Sequence, residues 1–451
     1  MFDSRRMCVA WGLALLVAVA PRYAAADDDD ALTLEKLNRT IEQNPRQPDA
    51  YLYRGLIWQE RGELERAIAD FGAAIRLAPK SADGYAHRGI AWQELGKLEN
   101  AVSDFGAAIK LDPGDDGTYV LRGIAWNLRK GYDEAQRDFD AAIRINPRNA
   151  AAYAYRGSVR QKRGDLEQAL RDCNAAIRLD PQSAEAYVAR GMIWNSRGEH
   201  DKALRDYDTA VKLDPRNAEA LTNRGIVRQK RGELDLALAD YNAALELKPS
   251  AAGTLALRGQ IKQARHETSQ ALRDYDAALK LEPENAESRL QRGILRHSQG
   301  KVDLAIKDWS EAIRLDPKNA AAYSQRAAAR GMKKDFGGAL QDCTAALRIN
   351  PQLGSVWHLQ GWILATCPEA AHRNGERAVK SAQRACELSE WKDALAVETL
   401  AAAHAESGDF AAAVRFQKKA IEIIGKDKVN SPDARSRLAL YEARKPFRDD
   451  S

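Results

Sequence analysis

Ten prolines recur at intervals of 34 residues along most of this 451-residue chain. They are Pro45, Pro79, Pro113, Pro147, Pro181, Pro215, Pro249, Pro283, Pro317 and Pro351. Ala67 and Gly55 recur with the same period, Ala67 as far as Ala339 and Gly55 as far as Gly293, and only Ala327 breaks the glycine series. A spacing this regular means that the chain repeats one small unit. We therefore predict an array of similar units and not a single globule.

Each unit contains two segments long enough for a helix. In the second unit, a helix A is predicted from Ala82 to Leu95 and a helix B from Leu98 to Leu111. Pro113 ends helix B, because a proline disfavours helical backbone in the residue before it. Helices of about 14 residues are marginal alone, so each must bury one face against its neighbours. The chain is therefore predicted to be all-α.

The fixed residues of the unit resemble the tetratricopeptide (TPR) repeat. The first unit reads Tyr51-x2-Arg54-Gly55-x2-Trp58, then Ala67-x3-Phe71-x2-Ala74, then Pro79. We number each unit so that this last proline is position 32. The resemblance implies a superhelical solenoid of stacked antiparallel helix pairs, in which positions 5, 9 and 12 of helix A line a concave groove.

The first 26 residues are predicted to be a signal peptide. Arg5 and Arg6 form a basic start, an apolar run extends from Cys8 to Ala20, and small residues at 24–26 provide a cleavage site. This order of basic, apolar and small residues is typical of secretory signals. We expect an exported protein, periplasmic or secreted, without stable membrane insertion after cleavage.

The rest of the chain divides into four parts. Residues 27–47 are an acidic lead and a capping helix, 48–351 are nine regular repeats, 352–425 are diverged repeats, and 426–451 are a C-terminal capping helix and tail. The predicted helices outside the regular repeats are Ala31–Asn44, Gly354–Thr366, Glu376–Leu388, Ala394–Ser407, Asp409–Ile424 and Asp433–Lys445, with a polar link at Val429–Pro432. The run Leu364-Ala365-Thr366-Cys367-Pro368 is similar to the C-terminal part of exported bacterial TPR proteins.

Several function classes find no support in the sequence. The net charge of +5 comes from 69 basic and 64 acidic side chains, a balance that gives no reason to expect nucleic acid as a partner. We find no catalytic, metal-binding or phosphate-binding motif, so we predict no enzyme, no metal and no cofactor. Cys173 and Cys343 occupy the aromatic slot of helix B, and Cys367 and Cys386 lie at opposite ends of a hairpin. We expect four unbridged thiols.

Two charged stripes run through the nine repeats. Position 7 is Arg in all nine, from Arg54 to Arg326, and position 23 is Asp in all nine, from Asp70 to Asp342. The last hairpin has Leu400 and Phe416 at these positions, so both types disappear together. We predict that they pair across each hairpin, in preference to an Arg ladder for an anionic ligand. For the basic residues at positions 11 and 14 of several repeats we likewise favour packing over a basic patch.

Position 12 provides the candidate binding residues. Seven primary amides occupy it: Gln59, Gln93, Asn127, Gln161, Asn195, Gln229 and Gln263. Apolar residues at position 9 accompany them: Ile90, Ile124 and Ile226. An amide both donates and accepts, so this row suits a polypeptide backbone. The alternative, that these amides are merely polar residues spread by duplication, stays open.

The sequence thus predicts an exported TPR scaffold that binds a protein or peptide in its groove. The competing hypothesis is a structural solenoid that assembles with itself and has no peptide ligand. The Lys and Asn clamp for a terminal carboxylate, known from other TPR proteins, is not expected. Its groove positions here are Leu52, Leu56, Ala86 and His87.

Overall fold

A computed structural model describes residues 27–426 and 432–449. Within these ranges the regular structure is helical, with 24 α-helices and one short 3-10 helix. The predicted signal peptide, and most of the predicted link at Val429–Pro432, lie outside the described residues. Among the described helices, none is both long and apolar enough to cross a membrane.

The helices follow the predicted repeat closely. Before the repeats lies Asp27–Gln43. The regular repeats contain Pro48–Glu60, Leu64–Leu77, Ala82–Glu94, Leu98–Leu111, Asp116–Leu128, Tyr132–Ile145, Ala150–Lys162, Leu166–Leu179, Ala184–Ser196, His200–Leu213, Ala218–Lys230, Leu234–Leu247, Ala252–Ala264, Thr268–Leu281, Ala286–Ser298, Val302–Leu315, Ala320–Met332 and Phe336–Ile349. After them come Gly354–Thr366, the 3-10 turn Ala370–His372, Gly375–Leu388, Ala394–Glu406, Phe410–Lys426 and Pro432–Glu442.

Local signals set the ends of these helices. Asn149 and Asn217 each cap a helix A, since their side-chain oxygens accept from the backbone N–H of Ala152 and Ala220. The turn from helix A to helix B needs one residue with positive φ, a conformation that glycine adopts without strain. Gly164 has it with φ of 86°, whereas Lys130 adopts it at 65° as a non-glycine residue. In the nine regular repeats, a proline lies two residues after the end of each helix B.

In the repeats that have glycine at position 8, this glycine lies in close contact with the side chain at position 24. A Cβ added to Gly123 would lie 2.6 Å from Cε1 of Phe139, which is fully buried. The same relation joins Gly225 to Tyr241. Real side chains essentially never approach this closely, so the glycine lets an aromatic ring lie directly on the backbone of helix A. This contact brings the two helix axes together.

The described chain forms two compact units, which divide at Thr254 and Leu255. The boundary falls inside helix A of repeat seven. Within each unit, helix A of a hairpin contacts its own helix B and also the next helix A, whereas consecutive B helices approach one another less closely. In each unit, therefore, the A helices line the inner side of the curved stack.

The final helix is shorter than predicted. It was expected to reach Lys445, but it ends at Glu442. Arg444 takes a left-handed φ of 55°, and the Lys445 N–H bonds back to the Leu440 carbonyl at 2.8 Å. That geometry terminates a helix and redirects the chain that follows it. The predicted end at Lys445 is therefore wrong by three residues.

Candidate functional site

The arginines at position 7 pair with the aspartates at position 23 in all nine repeats. In repeat three, Arg122 Nε donates to Asp138 at 2.9 Å and its Nη2 donates to the other carboxylate oxygen at 2.7 Å. The equivalent bonds in repeat one are both 2.7 Å. Such bidentate contacts are the strongest form of an Arg–carboxylate pair. The prediction that the two stripes pair across each hairpin is confirmed by this geometry.

Many of these guanidinium groups also reach the preceding repeat. Arg156 Nη1 donates to Asp140 at 2.7 Å, and Arg190 Nη1 donates to Asn174 at 2.8 Å. Arg54 makes the same contact with Asn38 of the N-terminal helix at 2.7 Å. The arginine stripe therefore ties hairpins to one another. The N–H donors of the stripe are bonded within the protein, so few of them are left to bind an anionic ligand.

The basic residues at positions 11 and 14 are engaged as well. Arg160 joins Arg156 on Asp172, with Nη1 at 2.7 Å from the carboxylate. Arg163, at position 14, lies 2.7 Å from Asp133 on helix B of the preceding repeat. Where position 11 is Trp instead, a cation stacks on the ring, as Arg129 does on Trp126 at 4.9 Å. These side chains join repeats and do not form a free basic patch.

The first two amides of the predicted row lie inside the fold. Gln59 is 5% exposed and Gln93 is 1% exposed. Gln59 Nε2 donates to Glu94 on the next helix A at 2.6 Å. The Oε1 atoms of both glutamines find no hydrogen-bond partner within the described residues. Gln59 thus lies between neighbouring A helices, and both residues are hardly accessible to a ligand.

The next three amides lie at partly exposed contacts between successive A helices. Lys162 Nζ donates to Asn127 at 3.0 Å, and Lys230 Nζ donates to Asn195 at 3.0 Å. Between them, Gln161 Nε2 donates to Ser196 Oγ at 3.0 Å. Each contact joins position 12 of one repeat to position 13 of the next. We call these six residues the polar row.

The last two amides contact tyrosines of their own hairpin. Gln229 accepts from Tyr241 Oη at 2.8 Å, and Gln263 accepts from Tyr275 Oη at 3.0 Å. Both amides are partly exposed. In repeats six and seven, therefore, position 12 supports the aromatic slot of helix B.

The three predicted isoleucines differ in accessibility. Ile90 is 2% exposed and Ile124 is 1% exposed, and each packs against the phenylalanine of its own hairpin, Phe105 or Phe139. Ile226 is partly exposed. Position 9 lies at the border between the core and the inner face, so its periodicity alone does not distinguish a core residue from a groove residue. In this structure Ile90 and Ile124 are core residues.

Burial shifts the pKa of two titratable groups on A helices. Burial raises the pKa of the Glu219 carboxyl in repeat six, a shift that Glu185 reinforces and that Lys162 and Lys248 oppose. Burial also lowers the pKa of His87 to about 4, so this imidazole is neutral near pH 7. Sequence reasoning missed Glu185 and Glu219, both at position 2. The one feature of the sequence that could have identified them is their acidic character at a position next to the groove.

The described chain contains four cysteines, and all four are buried. Cys173, Cys343, Cys367 and Cys386 are free and buried, and burial raises the thiol pKa of Cys173 to about 12. Such thiols remain protonated and inert. Within residues 27–426 and 432–449, no three His, Cys, Asp or Glu side chains cluster so as to hold a metal ion.

Helical hairpins repeated every 34 residues and stacked side by side define an α-helical repeat protein. Family models described as tetratricopeptide repeat match residues 34–82, 59–116, 124–184, 156–208 and 195–262, and a TPR repeat model matches 293–334. Together these matches extend over more than half of the chain, which belongs to the tetratricopeptide repeat family. No curated protein matches the sequence.

Several solved structures are similar in fold. A TPR protein from Parabacteroides merdae is 20% identical, covering 55% of this chain and 93% of its own, with a TM-score of 0.43. YrrB, described as a TPR protein with an unusual peptide-binding site, is 25% identical over 40% of this chain and 92% of its own, with a TM-score of 0.29. Yeast Tom70 is 16% identical, covering 88% of this chain and 96% of its own, with a TM-score of 0.34.

Proposed function

We propose that this protein is a non-enzymatic scaffold that binds an extended polypeptide along the A helices of repeats three to six. The observation that carries the proposal is the polar row, in which amides, lysines and a serine alternate at partly exposed contacts between A helices. The concave faces of repeat arrays are their usual binding surfaces. TPR proteins commonly bind protein or peptide partners.

The chemistry of the polar row suits a peptide backbone. Asn127 and Asn195 each keep an amide NH2 that can donate to a peptide carbonyl, while Lys162 and Lys230 occupy only their oxygens. Glu185 and Glu219 lie at position 2, and burial disfavours the charged form of Glu219, so a basic side chain of the ligand would stabilise that charge. Ile124 of repeat three, which is 1% exposed, would then support this face from within.

A triple variant tests this binding face. We expect Asn127→Ala, Gln161→Ala and Asn195→Ala together to weaken binding of peptides, selected on an array of overlapping segments, by at least about tenfold. Each lost amide removes a hydrogen bond of about 1 kcal/mol, and 1.4 kcal/mol corresponds to a factor of ten. Fluorescence anisotropy with the selected peptides measures the effect.

A matched control uses exposed residues away from this face. Asn100 and Gln182 lie outside the A helices, so Asn100→Ala with Gln182→Ala should leave the affinity unchanged. Equal affinity of the wild type and the triple variant would reject the proposed face. If no peptide binds and the protein is oligomeric by light scattering, the self-assembly hypothesis is preferred.

We also propose that the protein acts outside the cytoplasm. The support is the order of basic, apolar and small residues in positions 1–26. Expression of the full chain in a bacterium should give a periplasmic product. Its mass, measured on the intact protein, should equal that of a chain that begins at Asp27. A cytoplasmic product that retains Met1 or Phe2 would contradict export.

A further inference from the structure

The chain end after the final helix folds back onto earlier hairpins of its own unit. Residues 443–445 are exposed, whereas residues 446–449 are partly buried. Phe447 lies against Trp362, with ring centroids 5.9 Å apart. We call Phe447, Arg448 and Asp449 the tail.

Polar contacts fix the tail in one register. Trp362 Nε1 donates to Asp449 Oδ2 at 2.7 Å, and the Asp449 N–H donates to the Thr366 carbonyl at 2.9 Å. Arg448 pairs with Glu406 at 2.6 Å. An aromatic ring, a cation, a carboxylate and one backbone group of the tail are therefore each recognised separately.

The surface under the tail belongs to the inner face. In the repeat numbering, Trp362 is position 9 of the tenth hairpin, and Thr366 and Glu406 are position 13 of the tenth and eleventh hairpins. Arg437 of the final helix completes the aromatic site, with its guanidinium 5.5 Å from the Phe447 ring and 5.8 Å from Trp362. The tail thus occupies the kind of positions that line the inner face in the other repeats.

The chain between the final helix and the tail is built to redirect the backbone. Arg444 adopts a left-handed φ of 55°, although it has a side chain, and Pro446 disfavours helical backbone at Lys445. Residues 443–445 are exposed, and their backbone N–H groups bond to carbonyls of the final helix, whereas the tail bonds to the hairpins. The tail can therefore leave the surface without unfolding the final helix.

We infer that the inner face of hairpins ten and eleven is a second peptide-binding site, and that the tail fills it until a partner replaces it. The partner's peptide would present an aromatic residue, then a basic residue, then a carboxylate. The inference rests on the proposed function, because it assigns ligand chemistry to another stretch of the same helix A face.

The test uses the full chain with the tail contacts removed. In the released-tail variant, Phe447→Ser, Arg448→Ser and Asp449→Ser are combined. A labelled peptide with the sequence of residues 443–449 is titrated against this variant and against the wild type. We expect at least tenfold tighter binding to the released-tail variant, because its site is open.

Two further variants establish where the peptide binds. Trp362→Ala in the released-tail background should abolish binding, and a peptide with Phe, Arg and Asp in reversed order should not compete. Asp449→Ala alone keeps Phe447 and Arg448 in place, so it should raise peptide affinity only in part. It also provides a second measurement if the triple variant is poorly folded.

The contrary outcomes are distinct from failure of the proposed function. Equal peptide binding by the wild type and the released-tail variant, or none by either, would overturn the inference. A wild-type dimer that dissociates in the released-tail variant would also overturn it, since a second copy would then supply the tail. Each result is independent of Asn127, Gln161 and Asn195, whose variant tests the proposed face alone.

Discussion

Replacing Arg122 by Leu should destabilise repeat three by about 3–5 kcal/mol, the usual cost of removing one partner from a buried ion pair. The Asp138 carboxylate is almost fully buried, and Arg122 donates a hydrogen bond to each of its two oxygens. Repeat three has Trp126 at position 11, so no second cation replaces the lost guanidinium there. The variant leaves a charge inside the hairpin without compensation.

The chain itself suggests the compensating change. In the eleventh hairpin Leu400 and Phe416 occupy the same two positions and pack in one apolar cluster. We therefore expect Arg122→Leu with Asp138→Phe to recover most of the lost stability, because apolar residues often replace a buried ion pair without loss. Arg137→Leu, which removes an exposed pair with Glu134 in the same repeat, should cost less than about 1 kcal/mol.

The measurement must resolve a single repeat, because repeat arrays can open in parts. Hydrogen exchange over residues 116–145 reports that stability directly, and 3–5 kcal/mol corresponds to a loss of protection of about a hundredfold or more. Urea unfolding of the whole chain gives a second value. If the double variant loses as much stability as Arg122→Leu alone, the Arg122–Asp138 pair does more than compensate charge.

The sequence was sufficient for the repeat architecture and for the Arg–Asp pairing. The 34-residue period located the helices, and the joint loss of Arg and Asp at Leu400 and Phe416 identified the partners. Both inferences compare equivalent positions within one chain. Such a comparison works because each repeat places equivalent residues in equivalent surroundings.

The accessibility of the inner face could not be predicted in the same way. Gln93 and Asn127 occupy the same position, yet Gln93 is buried and Asn127 is partly exposed. Lys162 reaches over Asn127, whereas the equivalent residue beside Gln93 is Leu128. The exposure of an amide therefore depends on the side chains of the next repeat. The recurrence of one residue type at one position gives no information about those side chains.

The tail also lay beyond sequence reasoning. Phe447 and Trp362 are more than 80 residues apart, and no periodic pattern connects them. The predicted helix extended to Lys445, which would have carried the chain away from the hairpins. The left-handed residue Arg444 instead turns the chain back.

The second large effect is expected from Cys343→Phe in repeat nine. Cys343 is fully buried in the slot that holds Phe, Tyr or Trp in seven of the other repeats. Elsewhere the aromatic ring needs a glycine at position 8, but repeat nine has Ala327 there. A phenylalanine would overlap the Ala327 methyl group, and overpacking of this kind typically costs about 1–3 kcal/mol, occasionally more.

The reciprocal change should rescue the variant. Ala327→Gly opens the space that Gly123 opens for Phe139, so it should restore stability to Cys343→Phe although glycine alone costs a helix about 1 kcal/mol. Repeat four offers the matched control, because Cys173 already faces Gly157 and Cys173→Phe should be tolerated. A double-mutant cycle in urea measures the coupling between positions 8 and 24. If Cys173→Phe and Cys343→Phe lose the same amount of stability, the glycine at position 8 is not what makes room for the aromatic ring.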